Sequence, residues 1–530
     1  MRNFSLVIFT LFSVWLSAQT PFTVTVEPVS VPGFTGVQSF VSATYNDYLL
    51  IIGGRQDGLH ERQPFASFRP EGNNTIIQLL QPETGEHYAA SLSGLPEPLR
   101  EQLQSTNMEF YQDGDQLYII GGYGYSPSMG DHITYAQLTV VDIPVLAEAI
   151  LNEGDLSAAF RYTSDYRMAV TGGYLGQLQD TFYLVGGHRF TGRYNPHNGP
   201  SFEQEYTNQV RKFTVETDGS ELTVGYYEAW TDEMQLHRRD YNLAPQVFPD
   251  SKVGFTAFSG VFQHAVDLPF LNTVDILPGG YAVNNNFEQY LNHYHCGTAP
   301  LYDAASETMY TVFFGGMSQF VPQQDGSLLE DQEVPFVNTV GCVSRNSDGS
   351  MMEEKVGELP ALLGAGSEFI ATLPASSLSK DIYPVNMAEL SDSLFIGYLV
   401  GGIESSAPNI FFINDGTQSE ASNGLYRVYL KPVVTTGTAP VEREASLSKL
   451  QLSPNPATTV LSTQFELQQA AEVRATFVDS QGRIVRQISF GRQPAGEQQH
   501  HISLENLPAG SYWLNISARQ SQLALPFIRK

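Results

Sequence analysis

The sequence predicts an all-β protein in two unequal parts, and three observations predict it. Aromatic and glycine residues are abundant while charge is scarce: 32 Phe, 27 Tyr and 46 Gly stand in 530 residues of which 16% are charged. That balance favours aromatic-rich strands joined by glycine turns over helices. A polar turn, an apolar strand and a Gly-Gly pair recur along the body, and residues 447–530 form a separate run of alternating strands and turns. The length agrees, because a single hydrophobic core stops growing at roughly 250–300 residues.

Charge narrows the partners. The formal net charge is -28, which argues against nucleic acid or an anionic membrane, since either needs a basic footprint. From residue 445 onward there are eight Lys or Arg against five Asp or Glu, so the acidity lies in the body. Only Cys296 and Cys342 occur. No disulfide framework is expected; an exported chain could still join these two, and spacing alone does not fix the Cα geometry such a bond needs.

The amino terminus has Arg2, an apolar run from Phe4 to Leu16, then Ser17 and Ala18. The run is too short for a bilayer core needing about 20 residues, so residues 1–18 are expected to be a cleaved signal peptide. No later stretch is long and apolar enough to be a transmembrane segment. Residues 22–430 form the body, and residues 431–446, rich in Thr, Pro and Val, suit an extended linker.

The last domain, 447–530, carries four elements in order. They are Pro454-Asn455-Pro456; a strand ending in Asp479, Gly482 and Arg483; a turn with Leu507, Gly510 and Tyr512; and a basic end at Arg529 and Lys530. This order resembles the type A sorting domain of type IX secretion substrates. The resemblance implies a Gram-negative bacterial source, a partner in the type IX machinery, and passage across the outer membrane to the cell surface or medium. As a fold, the segment is expected to be a small β-sandwich.

The body repeats. YNDYLLIIGG (45–54), YQDGDQLYIIGG (111–122), LQDTFYLVGG (178–187), YDAASETMYTVFFGG (302–316) and LSDSLFIGYLVGG (390–402) share one pattern, and FPDSKVGFTAFSG (248–260) is a degenerate copy. A strand buried on both faces is apolar throughout and must end where the backbone can adopt positive φ. The pattern is similar to the kelch type of β-propeller, whose usual fourth-strand Trp is matched well only by Trp230. Six blades are expected, or seven if the unassigned segment 366–381 supplies one. The last blade lacks a strand, and residues 22–34 precede the first blade without one of their own, so the amino-terminal strand is expected to close the ring.

Candidate ligand residues follow from strand direction. Alternating strands put the segments after Gly-Gly and the lead-ins to the next inner strands on one face. The post-glycine segments 55–74, 123–137, 188–208 and 317–338 are long, and long loops on a rigid scaffold carry function. Arg238, Arg239 and Asp240 in one lead-in offer guanidinium forks that suit a ligand carboxylate or sulfate, with Arg55, Arg189 and Arg193 expected nearby. His293 and His295 in the next lead-in have the spacing of one strand face, which suits a metal if a third ligand comes from elsewhere. The bland alternatives are arginines that lock neighbouring blades and imidazoles bonded to loop carbonyls.

No Gly-x-Ser-x-Gly elbow, His-Glu-x-x-His helix, Walker loop or EF-hand loop is present, and no cofactor or metal is expected. The acidic stretch 324–333 reads as a solvated loop. The leading expectation is a secreted or surface-displayed propeller that binds a carbohydrate or protein on its long-loop face. Two alternatives stand beside it: a carbohydrate-active enzyme similar to the kelch sialic-acid mutarotases, or a surface scaffold without a small-molecule site. Tyr294, His295 and Cys296 invite comparison with galactose oxidase, a copper kelch enzyme, but its full ligand set is not matched.

Overall fold

The computed structural model describes residues 20–62, 66–195, 201–218, 221–433, 447–467, 470–479, 484–505, 507–518 and 521–530. The expected signal peptide, most of the linker, and Gly482 and Arg483 lie outside these residues. The chain divides into two compact units, residues 1–433 and 434–530. Only two α-helices occur among the described residues, Glu97–Leu103 and Ile143–Leu151. No described helix is long and apolar enough to cross a membrane.

Most strands of the larger unit group into antiparallel sets of four, the second and third joined through Asp131–Thr134 into one ten-stranded sheet. The first is Val41–Tyr45, Tyr48–Ile52, Ile76–Gln81 and Glu86–Ser91. The second is Thr106–Asp113, Gln116–Ser126, Gln137–Asp142 and Phe160–Ser164, and the third is Thr171–Leu178, Thr181–Gly192, Gln209–Asp218 and Glu221–Thr231. Asn242–Val247, Val253–Phe258, Thr273–Leu277 and Gly280–Asn284 form the fourth; Thr298–Asp303, Thr308–Phe314, Thr339–Arg345 and Met351–Glu358 form the fifth. The sixth has Glu368–Ala371, Leu394–Val400 and Leu425–Pro432 from the end of the unit, and its outer strand is Phe22–Pro28, with Phe22 opposite Pro432. That amino-terminal strand drives Phe22 and Val24 into the same core as Leu399 and Val428, so apolar burial holds the closure.

The glycine pairs explain how one set meets the next. Gly53, Gly121, Gly186, Gly315 and Gly401 all have φ between +61 and +68. A Cβ on Gly121 would stand 1.9 Å from the carbonyl oxygen of Val170, and one on Gly315 1.9 Å from that of Leu363. The following glycine donates its amide to a carbonyl that leads into the next set. Gly54 donates to Ser105, Gly122 to Val170, Gly187 to Arg238, and Gly316 to Leu363, at 2.8 to 3.1 Å. In the degenerate copy Gly260 donates to His293 at 3.2 Å, and Gly402 at the end returns to Val37 at 2.8 Å. The six lead-in residues, Val37, Ser105, Val170, Arg238, His293 and Leu363, are each at most 1% exposed.

Segment 366–381 supplies Glu368–Ala371, the inner strand of the sixth set. It then crosses the far end of the strands, where Tyr383–Val385 pairs in parallel with Leu301–Asp303. Lys380 donates to Asp113 at 2.6 Å and to Gln177 at 2.8 Å, and the Tyr111 hydroxyl donates to Asp381 at 2.8 Å.

The smaller unit has two sheets. One contains Leu447–Ser453, Val460–Leu467 and Gly496–Ser503; the other contains Ala471–Asp479, Ile484–Gln493, Gly510–Ala518 and Ser521–Arg529. Leu461, Phe465 and Ile502 from the first share a core with Val473, Phe477 and Leu514 from the second. The motif residues have local jobs. Asn455 takes the amide of Ile528 at 2.9 Å and gives to the Pro526 carbonyl at 3.1 Å, clasping the last strand. The Tyr512 hydroxyl donates to the Pro508 carbonyl at 2.9 Å and closes its own turn.

Candidate functional site: the inner rim at the glycine end

Three to two residues before or at the start of each inner strand, a second ring of hydrogen bonds forms. Asn107 N donates to Ser39 O at 3.2 Å, Asp240 N to Gly172 O at 2.7 Å, His295 N to Asp240 O at 3.0 Å, Gly366 N to His295 O at 3.0 Å, and Ser39 N to Gly366 O at 2.8 Å. The Thr171 hydroxyl donates to Asn107 O at 3.0 Å and closes the circuit. Ser39, Asn107, Gly172, Asp240 and Gly366 all hold φ between +48 and +67, the left-handed region that asparagine, aspartate and glycine tolerate best. His295 does not share it. The polar side chains on this rim are therefore set by the backbone ring itself.

The structure separates the sequence candidates. Arg238 occupies a lead-in slot and is 1% exposed. It donates to the carbonyls of Gln235 at 2.8 Å, Ser259 at 2.6 Å and Asn272 at 3.1 Å, and to Asn272 Oδ1 at 2.8 Å, with its guanidinium 4.0 Å over Phe270. Burial lowers its pKa to about 9. His293 occupies the equivalent slot one set on. Its Nδ1 accepts the Gln319 amide at 3.0 Å and its Nε2 faces the Gln289 carbonyl at 2.9 Å, which fixes a neutral ring protonated on Nε2. Burial pushes its pKa down to about 4. His293 and His295 lie before the strand rather than within one, and their rings point to different partners.

Arg55 is likewise internal: its guanidinium is held by Asp57 at 2.5 and 2.7 Å, by Asn73 Oδ1 at 2.8 Å and by the Arg69 carbonyl at 2.9 Å. Arg189 pairs at 2.5 Å with Glu205 on an exposed strand pair, where such bridges contribute little. Arg193 is half-buried and donates to the Ser67 carbonyl at 2.9 Å; burial lowers its pKa. The cysteine bond left open by spacing is not formed. Both thiols are free, with Cys342 packed in the fifth and sixth sets' core and Cys296 in a separate cluster beside Phe258 and Phe313.

Arg239, Asp240 and His295 do come together. Asp240 pairs with Arg239 Nη1, and Arg239 Nε donates to the Tyr206 hydroxyl at 3.0 Å. The Tyr206 ring stacks on His237 with centroids 3.6 Å apart. His295 Nε2 stands 3.2 Å from Glu368 Oε1, an ion-pair approach without an aligned hydrogen bond. Burial would lower the His295 pKa, but the Glu368 carboxylate outweighs it and the net direction is up.

Sequence reasoning missed three residues here. Arg62 lies in the loop after the first glycine pair, its guanidinium 4.2 Å over Phe412 and 5.5 Å over Phe411, and its Nη1 is buried with no hydrogen-bond partner among the described residues. Tyr194 feels the charge of both Arg239 and Arg62, and Tyr294 feels Arg239, Asp240 and Tyr194, so these groups share one neighbourhood. Glu368 is the third, and it lies in the segment left unassigned. The signal that finds it is the rim register, two to five residues after each buried lead-in.

A cleft of about 1120 Å³ opens at the opposite end of the strands, lined in part by Asp113, Gln177, Asp180, Tyr281 and Leu378. Its Lys380 and Asp381 already hold protein partners. No group of three or more His, Cys, Asp or Glu among the described residues is placed to hold a metal.

Comparison with known proteins bears chiefly on the smaller unit. Residues 451–529 match the family model described as a secretion system C-terminal sorting domain. That domain marks the chain for export to the cell surface or the extracellular space and implies interaction with the type IX machinery. No curated protein matches the chain. Among solved structures, one titled "Structure of YjhT" aligns with 12% identity over 76% of this chain and 99% of its own, with a TM-score of 0.41. A fungal alcohol oxidase of the AA5 family in complex with copper aligns with 12% identity over 96% of this chain and 98% of its own, with a TM-score of 0.36. A protein of unknown function from Bacteroides thetaiotaomicron aligns with 10% identity over 77% of this chain and 76% of its own, with a TM-score of 0.31.

Proposed function

We propose that this chain is a six-bladed kelch-type propeller, joined to a β-sandwich sorting domain, that binds an acidic carbohydrate at its inner rim after export by the type IX route. Two features support the blade count: six glycine-to-lead-in hydrogen bonds that return to Val37, and the amino-terminal strand in the sixth set. The observation that carries the binding reading is Arg62, whose buried Nη1 has no acceptor among the described residues. A desolvated guanidinium nitrogen without a partner costs more than the ~1–3 kcal/mol of a neutral unmet donor, and a ligand anion relieves that cost. Arg239 stands in the same neighbourhood with its Nη2 uncommitted among the described residues. Tyr194, Tyr206 and Tyr294 around them are half-buried, and such rings suit the apolar faces of sugars.

The test is a binding panel on the full chain. Glycans bearing carboxylate or sulfate should bind, and their neutral counterparts should not. Arg62→Gln and Arg239→Gln should each weaken binding about 10- to 100-fold, the loss of one charge-assisted bond of roughly 1.5–3 kcal/mol. Equal affinity for charged and neutral glycans would sink the reading.

A further inference from the structure

The rim holds one arrangement that binding alone does not use. His295 turns Nε2 toward Glu368 Oε1 at 3.2 Å without an aligned hydrogen bond, Nδ1 bonds to no described residue, and the side chain remains 21% exposed. Both groups are held by the backbone ring: His295 bonds through N to Asp240 and through O to Gly366, and Glu368 begins the sixth set's inner strand. Glu368 is 7% exposed and its Oε1 makes no other bond. The remaining groups that act on the ring are Asp240 and the Tyr174 ring at 6.1 Å; the buried Cys296 thiol, whose pKa burial raises to about 12, neighbours Glu368. An imidazole with a carboxylate beside one nitrogen and the other nitrogen open has the parts needed to move protons.

Arg239 lies on the same ring, paired with Asp240, whose carbonyl accepts the His295 amide, and both Arg239 and Arg62 act on Tyr194. A proton on carbon next to a carboxylate leaves only when the negative charge that builds on that carboxylate is stabilised. In the proposed step Arg239 and Arg62 provide this charge, since preorganised cations stabilise it without reorganisation. We propose that His295 abstracts the proton α to the carboxylate of a bound uronate residue, and that the glycan is cleaved there by β-elimination.

The step balances without a co-reactant. The α carbon–hydrogen bond breaks and its electron pair forms the double bond between the α and β carbons. The bond from the β carbon to the leaving glycosidic oxygen breaks. The proton passes from the α carbon to Nδ1 of His295 and then to that leaving oxygen, while Glu368 stabilises the transient imidazolium. In this scheme His295 is the base and Glu368 a positioning residue.

The inference rests on the acidic-glycan reading, and its failure is distinguishable. The full chain is incubated with polygalacturonate, alginate and chondroitin, and three quantities are followed: binding, ultraviolet absorbance of the unsaturated product, and deuterium uptake at the α carbon in deuterated water. The wild type should bind and cleave at least one of them. His295→Gln should lose at least about 100-fold in cleavage and exchange while still binding through Arg62 and Arg239. Glu368→Gln should cleave slowly, with its pH profile moved to lower pH because the imidazole loses its raising partner. That shift carries the test if His295→Gln does not fold. Binding without product or exchange overturns the proton-transfer step and leaves the binding reading standing. Cleavage by His295→Gln at the wild-type rate overturns it too, and binding to none of the three polymers overturns both readings.

Discussion

The Tyr206 hydroxyl accepts a 3.0 Å hydrogen bond from Arg239 Nε. Tyr206 belongs to the short strand that extends from the third set, and Arg239 to the lead-in of the fourth, so this bond couples two sets at the rim. With Asp240 on Nη1, it leaves Arg239 a single outward edge. Tyr206→Phe removes the acceptor and keeps the ring stacked on His237. The expected outcome is about tenfold weaker binding of an acidic glycan, the equivalent of roughly 1.4 kcal/mol, measured by calorimetric titration.

Arg238 and Arg239 are neighbours with opposite duties. Arg238→Met leaves the carbonyls of Gln235, Ser259 and Asn272 without their donor in a buried site. Stability should fall by about 3 kcal/mol or more in urea denaturation. The affinity of the protein that remains folded should be unchanged.

Much of the body was legible in the sequence because its rules are local. The Gly-Gly pairs announced positive φ and strand ends, and the structure adds that the next set's lead-in carbonyl occupies the space a Cβ would need. The free Phe22–Pro28 strand and the short final set implied each other. Arg238 and His293 were harder, because the buried slot they fill is defined by the amides of Gly187 and Gly260, which lie far away in sequence. Arg62 gave no local sign, since the Phe411 and Phe412 rings it covers come from a loop near the end of the unit. Glu368 was hidden in a segment without the repeat pattern.

His293 also makes a pH prediction. Its folded pKa is lowered to about 4 from 6.5. Below pH 6.5 the unfolded chain takes up a proton that the folded chain refuses, so stability present above 6.5 is lost as pH falls toward 4. Glu353 acts oppositely: burial raises it to about 8, and its contribution fades as pH rises from 4.5 toward 8. The comparison is therefore between variants. Melting temperature should fall less between pH 7 and pH 5 in His293→Gln than in the wild type, at about those pH values where only histidine titrates ordinarily.

The two thiols give a chemical check. Neither Cys296 nor Cys342 is accessible, and burial raises both pKa values. Alkylation without reductant should label neither cysteine in the native chain and both after denaturation, read by mass spectrometry.

The central claim is that guanidinium nitrogens of Arg62 and Arg239 without a partner among the described residues take an anion. Its most direct measurement is the affinity of the full chain for one acidic glycan and for the same glycan with its carboxylates reduced to alcohols, in the wild type and in Arg62→Gln. The account predicts tight binding only for the acidic form by the wild type, with most of that preference gone in the variant. Equal binding of both forms, or an unchanged preference in Arg62→Gln, would contradict it.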